Sequence, residues 1–216
     1  MRFVSVFVLF TGACLAVDQQ STAQALLEKS ADSYGRLDSC QLQAKTTLDT
    51  LVDGKPASNV ISEMRFAARR PGRILIEIRE PESGEWVRVS DGKKTREYKS
   101  QSNQKSERDA SIADFTVLWY ASPLAALEQI SAKIREAKIL PDERLTVGNR
   151  ALDCHVIEAT YTGDSEAPPI RYWIDKRTNL VVRQVQGPAE RRQTIEYIFT
   201  GVNQPLPDTV FAMRKQ

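Results

Sequence analysis

The 216-residue sequence is poor in the side chains that carry chemistry. It has one histidine, His155, and three cysteines, Cys14, Cys40 and Cys154. Metal sites draw on several His or Cys ligands, so no metal and no cofactor are expected. His155 directly follows Cys154. In a strand such neighbours point to opposite faces, so the two cannot form a nucleophilic pair. No glycine-rich loop leads from a strand into a helix in the pattern that cradles phosphate. Ser90-Asp91-Gly92 has a superficial likeness to part of a hydrolase signature, but a turn accounts for it better. Carboxylates are plentiful and nothing singles out a pair. No catalytic residue is assigned, and a non-enzymatic protein is expected. Charge of one sign is also lacking: 30 basic residues face 28 acidic ones, for a net charge of +2. Arg65, Arg69, Arg70 and Arg73 are interspersed with Glu63, Glu77 and Glu80. A nucleic-acid partner would call for a dedicated basic patch, so none is expected.

Long apolar runs are absent except at the start. Arg2 precedes Phe3-Val4-Ser5-Val6-Phe7-Val8-Leu9-Phe10, and small residues follow as far as Ala16. The run is too short to span a bilayer comfortably. A basic start, an apolar centre and small residues before a polar segment form a secretory leader. Cleavage after Ala16 would give leader 1–16 and a single mature domain, 17–216, in the periplasm. A buried N-terminal strand is the plain alternative. Thr11-Gly12-Ala13-Cys14 also resembles a lipoprotein box, which would anchor the chain through an acylated Cys14. Export leaves Cys40 and Cys154 in an oxidising compartment. A bridge between them would close a loop worth roughly 4–5 kcal/mol in the chain-entropy model. Two buried free thiols are the alternative.

The rest of the sequence alternates between two periods. Ser21-Thr22-Ala23-Gln24 resembles a capping box, and Leu27, Ala31, Tyr34 and Leu37 recur at helical spacing, predicting a helix from Ser21 to about Gly35. From Ser39 the period becomes two. Leu42, Ala44, Thr46 and Leu48 share a face, Asp53-Gly54-Lys55 turns, and Val60, Ser62, Met64, Phe66 and Ala68 return on one face. Ile74, Ile76 and Ile78 alternate with more polar neighbours, then Val87 and Val89 do the same. Asp91-Gly92 makes a hairpin with a strand at Thr95–Lys99. Such alternation predicts an antiparallel sheet with one wet and one covered face. Gln101–Ala110 is read as a loop. Ser111-Ile112-Ala113-Asp114 opens one helix and Ser122-Pro123 another. The second carries Leu124, Leu127, Ile130 and Ile134, with Lys133, Arg135 and Lys138 near its end. Strands are expected at about Arg144–Val147, Asp153–Tyr161, Ile170–Asp175, Leu180–Gln186 and Thr194–Val202. The class is α+β: one strongly curved antiparallel sheet with an N-terminal helix and two or more helices on its concave face.

A curved sheet with an apolar concave face can enclose acyl chains, held by about 0.8 kcal/mol per buried methylene. Val60, Met64, Phe66, Ile74 and Ile76 would form the floor. Phe115, Leu118, Trp119 and Leu127 would form a movable cover. For each residue singly, a dry core is the plainer role.

An ordered series of segments resembles the LolA-like superfamily, the periplasmic lipoprotein-carrier fold. It comprises Arg70-Pro71-Gly72-Arg73-Ile74, Pro81, Val89-Ser90-Asp91-Gly92-Lys93 and Tyr98. It continues with Tyr172-Trp173-Ile174-Asp175, Asn179-Leu180-Val181, Leu206-Pro207-Asp208 and Phe211. The resemblance implies an incomplete β-barrel whose helices lid a lipid cavity. It implies an acyl chain of a lipoprotein or lipid as ligand, and a membrane-anchored donor or acceptor protein as partner. It also implies a latch, in which Arg70, or its rival Arg69, bonds the carbonyls of a lid helix. The strand after the Arg-Pro element is Ile74-Leu75-Ile76-Glu77, where carriers usually have aromatic residues. A sensor of the RseB type, built on the same fold, is the alternative function. A monomer is expected.

Overall fold

Strand alternation carries most of the architecture. The computed structural model describes residues 12–52, 55–120, 122–162, 167–188 and 190–213. The apolar centre of the leader, the Asp53-Gly54 turn and most of the turn after Thr162 lie outside these residues. The elements run α1 (Gly12–Gly35), β1 (Ser39–Val52), β2 (Lys55–Arg69), β3 (Arg73–Glu80), β4 (Gly84–Asp91), β5 (Lys94–Lys99) and β6 (Gln104–Asp109). Then follow α2 (Ile112–Tyr120), α3 (Pro123–Glu128), β7 (Ile134–Val147), β8 (Arg150–Tyr161), β9 (Ile170–Asp175), β10 (Val181–Gln186), β11 (Arg191–Val202) and a short 3-10 turn, Asp208–Phe211.

The strands form one eleven-stranded sheet in the order β6-β5-β4-β3-β2-β1-β11-β10-β9-β8-β7. It is antiparallel, curved and unclosed. Two meanders meet where β1 pairs with β11, from Cys40 opposite Val202 to Thr50 opposite Arg191. Cross-strand partners share a face of a sheet, so the register fixes what each side presents. The inner face gathers Leu42, Phe66, Ile74, Ile76, Ile157 and Ile174 into the main core. Ala23, Leu27, Ala31 and Tyr34 of α1 pack onto it, with Leu118, Trp119, Leu124 and Leu127 of α2 and α3.

The outer face is not simply wet. Val87 and Val89 join Ala67, Leu75, Leu206 and Phe211 in a second cluster, beneath the C-terminal segment. Leu145, Val147, Cys154, Val156, Trp173 and Val182 make a third.

Several expected boundaries shift. Ser21 lies inside α1, which begins at Gly12. No proline or glycine interrupts the good helix formers between Ala13 and Ser21, so nothing stops the helix there. Ser122 does precede α3, but its hydroxyl donates to the Trp119 carbonyl (2.6 Å) and does not cap the helix. The helix expected to run to Lys138 ends at Glu128. Lys133 takes a left-handed conformation (φ 58°) and Ile134 enters β7 opposite Tyr161. Lys138 pairs with Glu158 across the sheet (2.6 Å), not with a helix terminus. Strand pairing overrides helical spacing in this segment. The Gln101–Ala110 loop contains β6, an edge strand of Gln-Lys-Ser-Glu-Arg-Asp, exposed throughout. Its charges suit an edge that must not recruit further strands.

The Cys40–Cys154 bridge is not formed; both thiols are free and buried. Cys40 lies in the inner core and Cys154 in an outer cluster. Four strand spacings separate β1 from β8, roughly 19 Å at sheet geometry, and a bridge needs Cα atoms within about 7 Å. Burial pushes the Cys40 thiol up to about 12 and the Cys154 thiol up to about 11. Both thiols should therefore resist a thiol reagent in the native state and react once denaturant is added. A non-reducing peptide map showing them joined would contradict this placement.

The β4–β5 hairpin turns on Asp91. Its Oδ1 accepts from the backbone N–H groups of Lys93 and Lys94 (both 2.8 Å), and its Oδ2 meets Arg96 (2.8 Å). Partial burial pulls the carboxyl pKa upward, but these donors outweigh it and hold the group at about 2. A depressed folded pKa gives stability that is present above the ordinary carboxylate range and lost as pH falls toward about 2. Asp91→Ala should cost about 1 kcal/mol at neutral pH and flatten the acid limb of the stability curve. Denaturant titrations between neutral and acid pH will measure both effects.

Candidate functional site: the covered inner face

Three cross-strand rows build the inner face. Phe199, Leu42, Phe66 and Ile76 follow one another across β11, β1, β2 and β3. So do Val202, Cys40, Ala68 and Ile74, and Tyr197, Ala44, Met64 and Ile78. Over these rows lie α2 and α3. Trp119 meets Phe66 edge-on at 6.2 Å and stacks against Phe115 at 5.9 Å.

Of the residues expected to line a lipid cavity, the fold gathers all but one. Phe66, Ile74, Ile76, Leu118, Trp119 and Leu127 are buried in one cluster, and Met64 and Phe115 are partly buried against it. They pack on one another in this closed arrangement. Val60 is the exception. Thr46 pairs with Ser62 but Thr47 pairs with Val60, so Ile61 is an extra residue in β2. Such a bulge exchanges the faces of the residues beyond it, and Val60 leaves the inner floor. Toward that end the inner side opens into a groove of about 520 Å³ lined by Leu48, Ile61, Ala167, Pro168, Ile170 and glutamines.

The cover is tied to the sheet through Arg70, at the turn between β2 and β3. Its guanidinium lies 4.6 Å from the Trp119 ring centre, and its Nη2 is 3.9 Å from Glu128 Oε1. Trp119 Nε1 donates to the other oxygen of Glu128 (2.9 Å). These contacts are with side chains of α2 and α3, where helix carbonyls were expected. Arg69 faces the other way. It donates to the Leu206 carbonyl (2.7 Å) and pairs with Asp208 (2.7 Å), which also meets Arg73. Adjacent arginines thus clamp opposite sides of the sheet. Glu128 was not singled out in the sequence; its part depends on α3 ending where it does.

The polar groups of this face are tied up in structure. The Val181 N–H donates to Tyr34 Oη (2.8 Å), and Tyr161 Oη donates to the Ile130 carbonyl (2.9 Å). Burial drives the pKa of Tyr34, Tyr172 and Tyr197 upward, so these phenols stay neutral at physiological pH. His155 lies elsewhere, its Nδ1 3.1 Å from Asp142, beside Lys176. Among the described residues no group of three His, Cys, Asp or Glu side chains could hold a metal ion.

The protein can now be set beside known ones. A crystal structure of lipoprotein LppX from Mycobacterium tuberculosis superposes with a TM-score of 0.55 at 14% identity, covering 87% of this chain and 98% of that one. The fold is shared with LppX. At that identity the likeness concerns fold alone, and at that level the LolA-like resemblance stands. A chain of the MucA/MucB complex of Pseudomonas aeruginosa gives 0.48 at 14% identity, covering 89% of this chain and 61% of that one. A LolA superfamily protein from Nitrosomonas europaea gives 0.34 at 12%, covering 88% and 97%. Neither of these two carries an argument by itself. The model of a family described as predicted periplasmic protein, DUF2092, matches residues 23–116, from α1 into α2. Its description agrees with the exported leader, and the periplasmic assignment stands. No curated protein matches the chain significantly. No helix among the described residues is long and apolar enough to cross a membrane.

If Arg70 latches the cover, Arg70→Ala should destabilise the fold by about 1 kcal/mol, the scale of a partly buried cation–π contact. A double-mutant cycle with Trp119→Leu, read by denaturant unfolding, should show coupling between the two. Strict additivity would mean that the stacking contributes nothing.

Proposed function

We propose that this is a periplasmic, non-enzymatic protein that shelters an acyl chain of a lipid or lipoprotein beneath the α2–α3 cover. One observation carries the reading. A continuous apolar face, Leu42–Phe66–Ile76 and its neighbouring rows, is closed by helices of only nine and six residues, held by side-chain contacts at Arg70. Helices this short have little stability of their own. Lifting them would expose an apolar surface already shaped by the sheet, and an acyl chain could replace the helices there. Binding would be a conformational exchange with no bond broken. The groove at Leu48, Ile61 and Ile170 supports an end-on path to that face, with a volume of about 520 Å³, within the usual range of ligand sites. Transfer to a membrane-anchored partner, and so a carrier role, is the finer version of this proposal. It takes the mature protein to begin at Val17.

A second reading is favoured by the tight packing of Phe66, Leu118 and Trp119. In it the cover never leaves, and the protein is an envelope sensor or interaction module.

Phe66 is 1% exposed, so a charge there would threaten folding before it tested binding. Phe115, on the cover and only partly buried, is the better probe. Native mass spectrometry of protein taken from its own envelope should show bound amphiphile, and Phe115→Glu should remove it while the sheet's circular dichroism persists. Wild-type protein that carries no amphiphile and takes none up from added lipid would favour the second reading.

A further inference from the structure

The inner rows change character abruptly at β4. Ile76 is followed by Arg88, Glu97 and Ser106 across β4, β5 and β6. Ile74 is followed by Ser90, Thr95 and Arg108, and Ile78 by Trp86, Lys99 and Gln104. One side of the sheet is thus apolar up to β3 and polar beyond it. The polar part holds three cations, Arg88, Lys99 and Arg108, against one carboxylate, Glu97. A wet margin of the sheet would explain polar residues that are exposed. It does not explain Thr95, which is 3% exposed and whose Oγ1 is buried without a hydrogen-bond partner. Arg88 Nε, on the same face, is also buried and unpartnered. Thr95 pairs with Ser90 and Arg88 with Glu97, which makes Thr95 and Arg88 diagonal neighbours, roughly 7–8 Å apart at the backbone and within reach of an arginine side chain. Unmet buried donors are unfavourable and rare in native proteins.

We infer that Arg88 and Thr95 form a head-group site for an anionic amphiphile whose chain lies on the apolar rows beside them. This rests on the acyl-binding reading and deepens it by naming the charge of the ligand. Arg88 already gives one guanidinium N–H to Glu97 (Nη2 to Oε2, 3.0 Å). Arginine has five donors and no acceptor, so its Nε–H can take a ligand oxygen without breaking that pair. The Thr95 hydroxyl supplies a second donor. Two donors in a cationic setting select an oxyanion, a phosphate or a carboxylate, over a neutral head. The site adjoins β3, against which α2 lies, so the movement that admits a chain would also uncover these donors. Glu97 is held in place by Trp86 Nε1 (2.8 Å) and Lys99 (3.4 Å) and stays with its own partners.

The test compares two twelve-carbon probes below their micellar concentrations, dodecyl phosphate and glycerol monolaurate, with inorganic phosphate as a third arm. Binding to delipidated protein is followed by calorimetry. Dodecyl phosphate should bind at least tenfold more tightly than monolaurate, and inorganic phosphate far more weakly than either. Arg88→Gln and Thr95→Val should each remove most of the preference and leave monolaurate binding unchanged. Thr95→Val should also raise the thermal midpoint of the ligand-free protein, because it deletes an unmet hydroxyl at constant shape. Should Arg88→Gln fail to fold, Thr95→Val decides alone. Equal affinities for the two amphiphiles, or a preference surviving Thr95→Val, would overturn the head-group site and leave acyl binding standing. Inorganic phosphate binding as tightly as dodecyl phosphate would overturn the amphiphile. If neither amphiphile binds the wild-type protein, the acyl-binding reading fails, and this site with it.

Discussion

An open antiparallel sheet with one apolar side must have that side covered. Every other feature of this molecule answers to that requirement. Burying one large aliphatic or aromatic side chain contributes about 1.5–3 kcal/mol, and the inner face carries many of them, from Leu42 and Phe66 to Ile157 and Ile174. A closed barrel would hide them by wrapping. This sheet does not close, because β6 and β7 remain separate edges. Helices therefore do the covering, and they do it unequally. α1 is long, packs on β7 and α3, and is fixed by the bond between the Val181 N–H and Tyr34. α2 and α3 are short and are tied down mainly by aromatic and charged side chains.

That inequality gives the fold its direction of movement. Arg69 and Arg70 are consecutive residues at the end of β2 and they serve opposite surfaces. Arg69 fastens the C-terminal segment to the outer side through Leu206 and Asp208, and Arg70 holds the inner cover through Trp119 and Glu128. The outer fastening combines two arginines on one carboxylate with a packed cluster around Phe211. The inner one is a stacked cation and a distant ion pair. Of the two, the inner cover is the part that can leave while the sheet persists, and the apolar rows beneath it end at a cationic border.

Much of this was legible in the sequence because period-two alternation is a strong signal. Ile74, Ile76 and Ile78 showed their face directly, and Ile170–Asp175 matched its strand end for end. Three things were not legible. The bulge at Ile61, which displaces Val60, leaves no mark in composition. The exposed β6 strand has no apolar residue to reveal it, since it is held by pairing with β5 alone. The segment Ile130–Lys138 carries helical spacing, yet pairing with β8 makes it a strand. Arg70 was visible as a latch only through the Arg-Pro resemblance, and its true partners, Trp119 and Glu128, required the fold. The two cysteines were read partly as a bridge, and the sheet separates them by face as well as by distance.

The central claim is that the α2–α3 cover opens by itself while the sheet stays folded. Native-state hydrogen exchange, followed residue by residue, measures this most directly. Amides of Leu118, Trp119 and Leu127 should exchange with a much smaller opening free energy than those of Leu42, Phe66 and Ile76, and with little dependence on denaturant. If the cover amides exchanged only through global unfolding, with the same free energy and denaturant slope as the sheet, the claim would be contradicted.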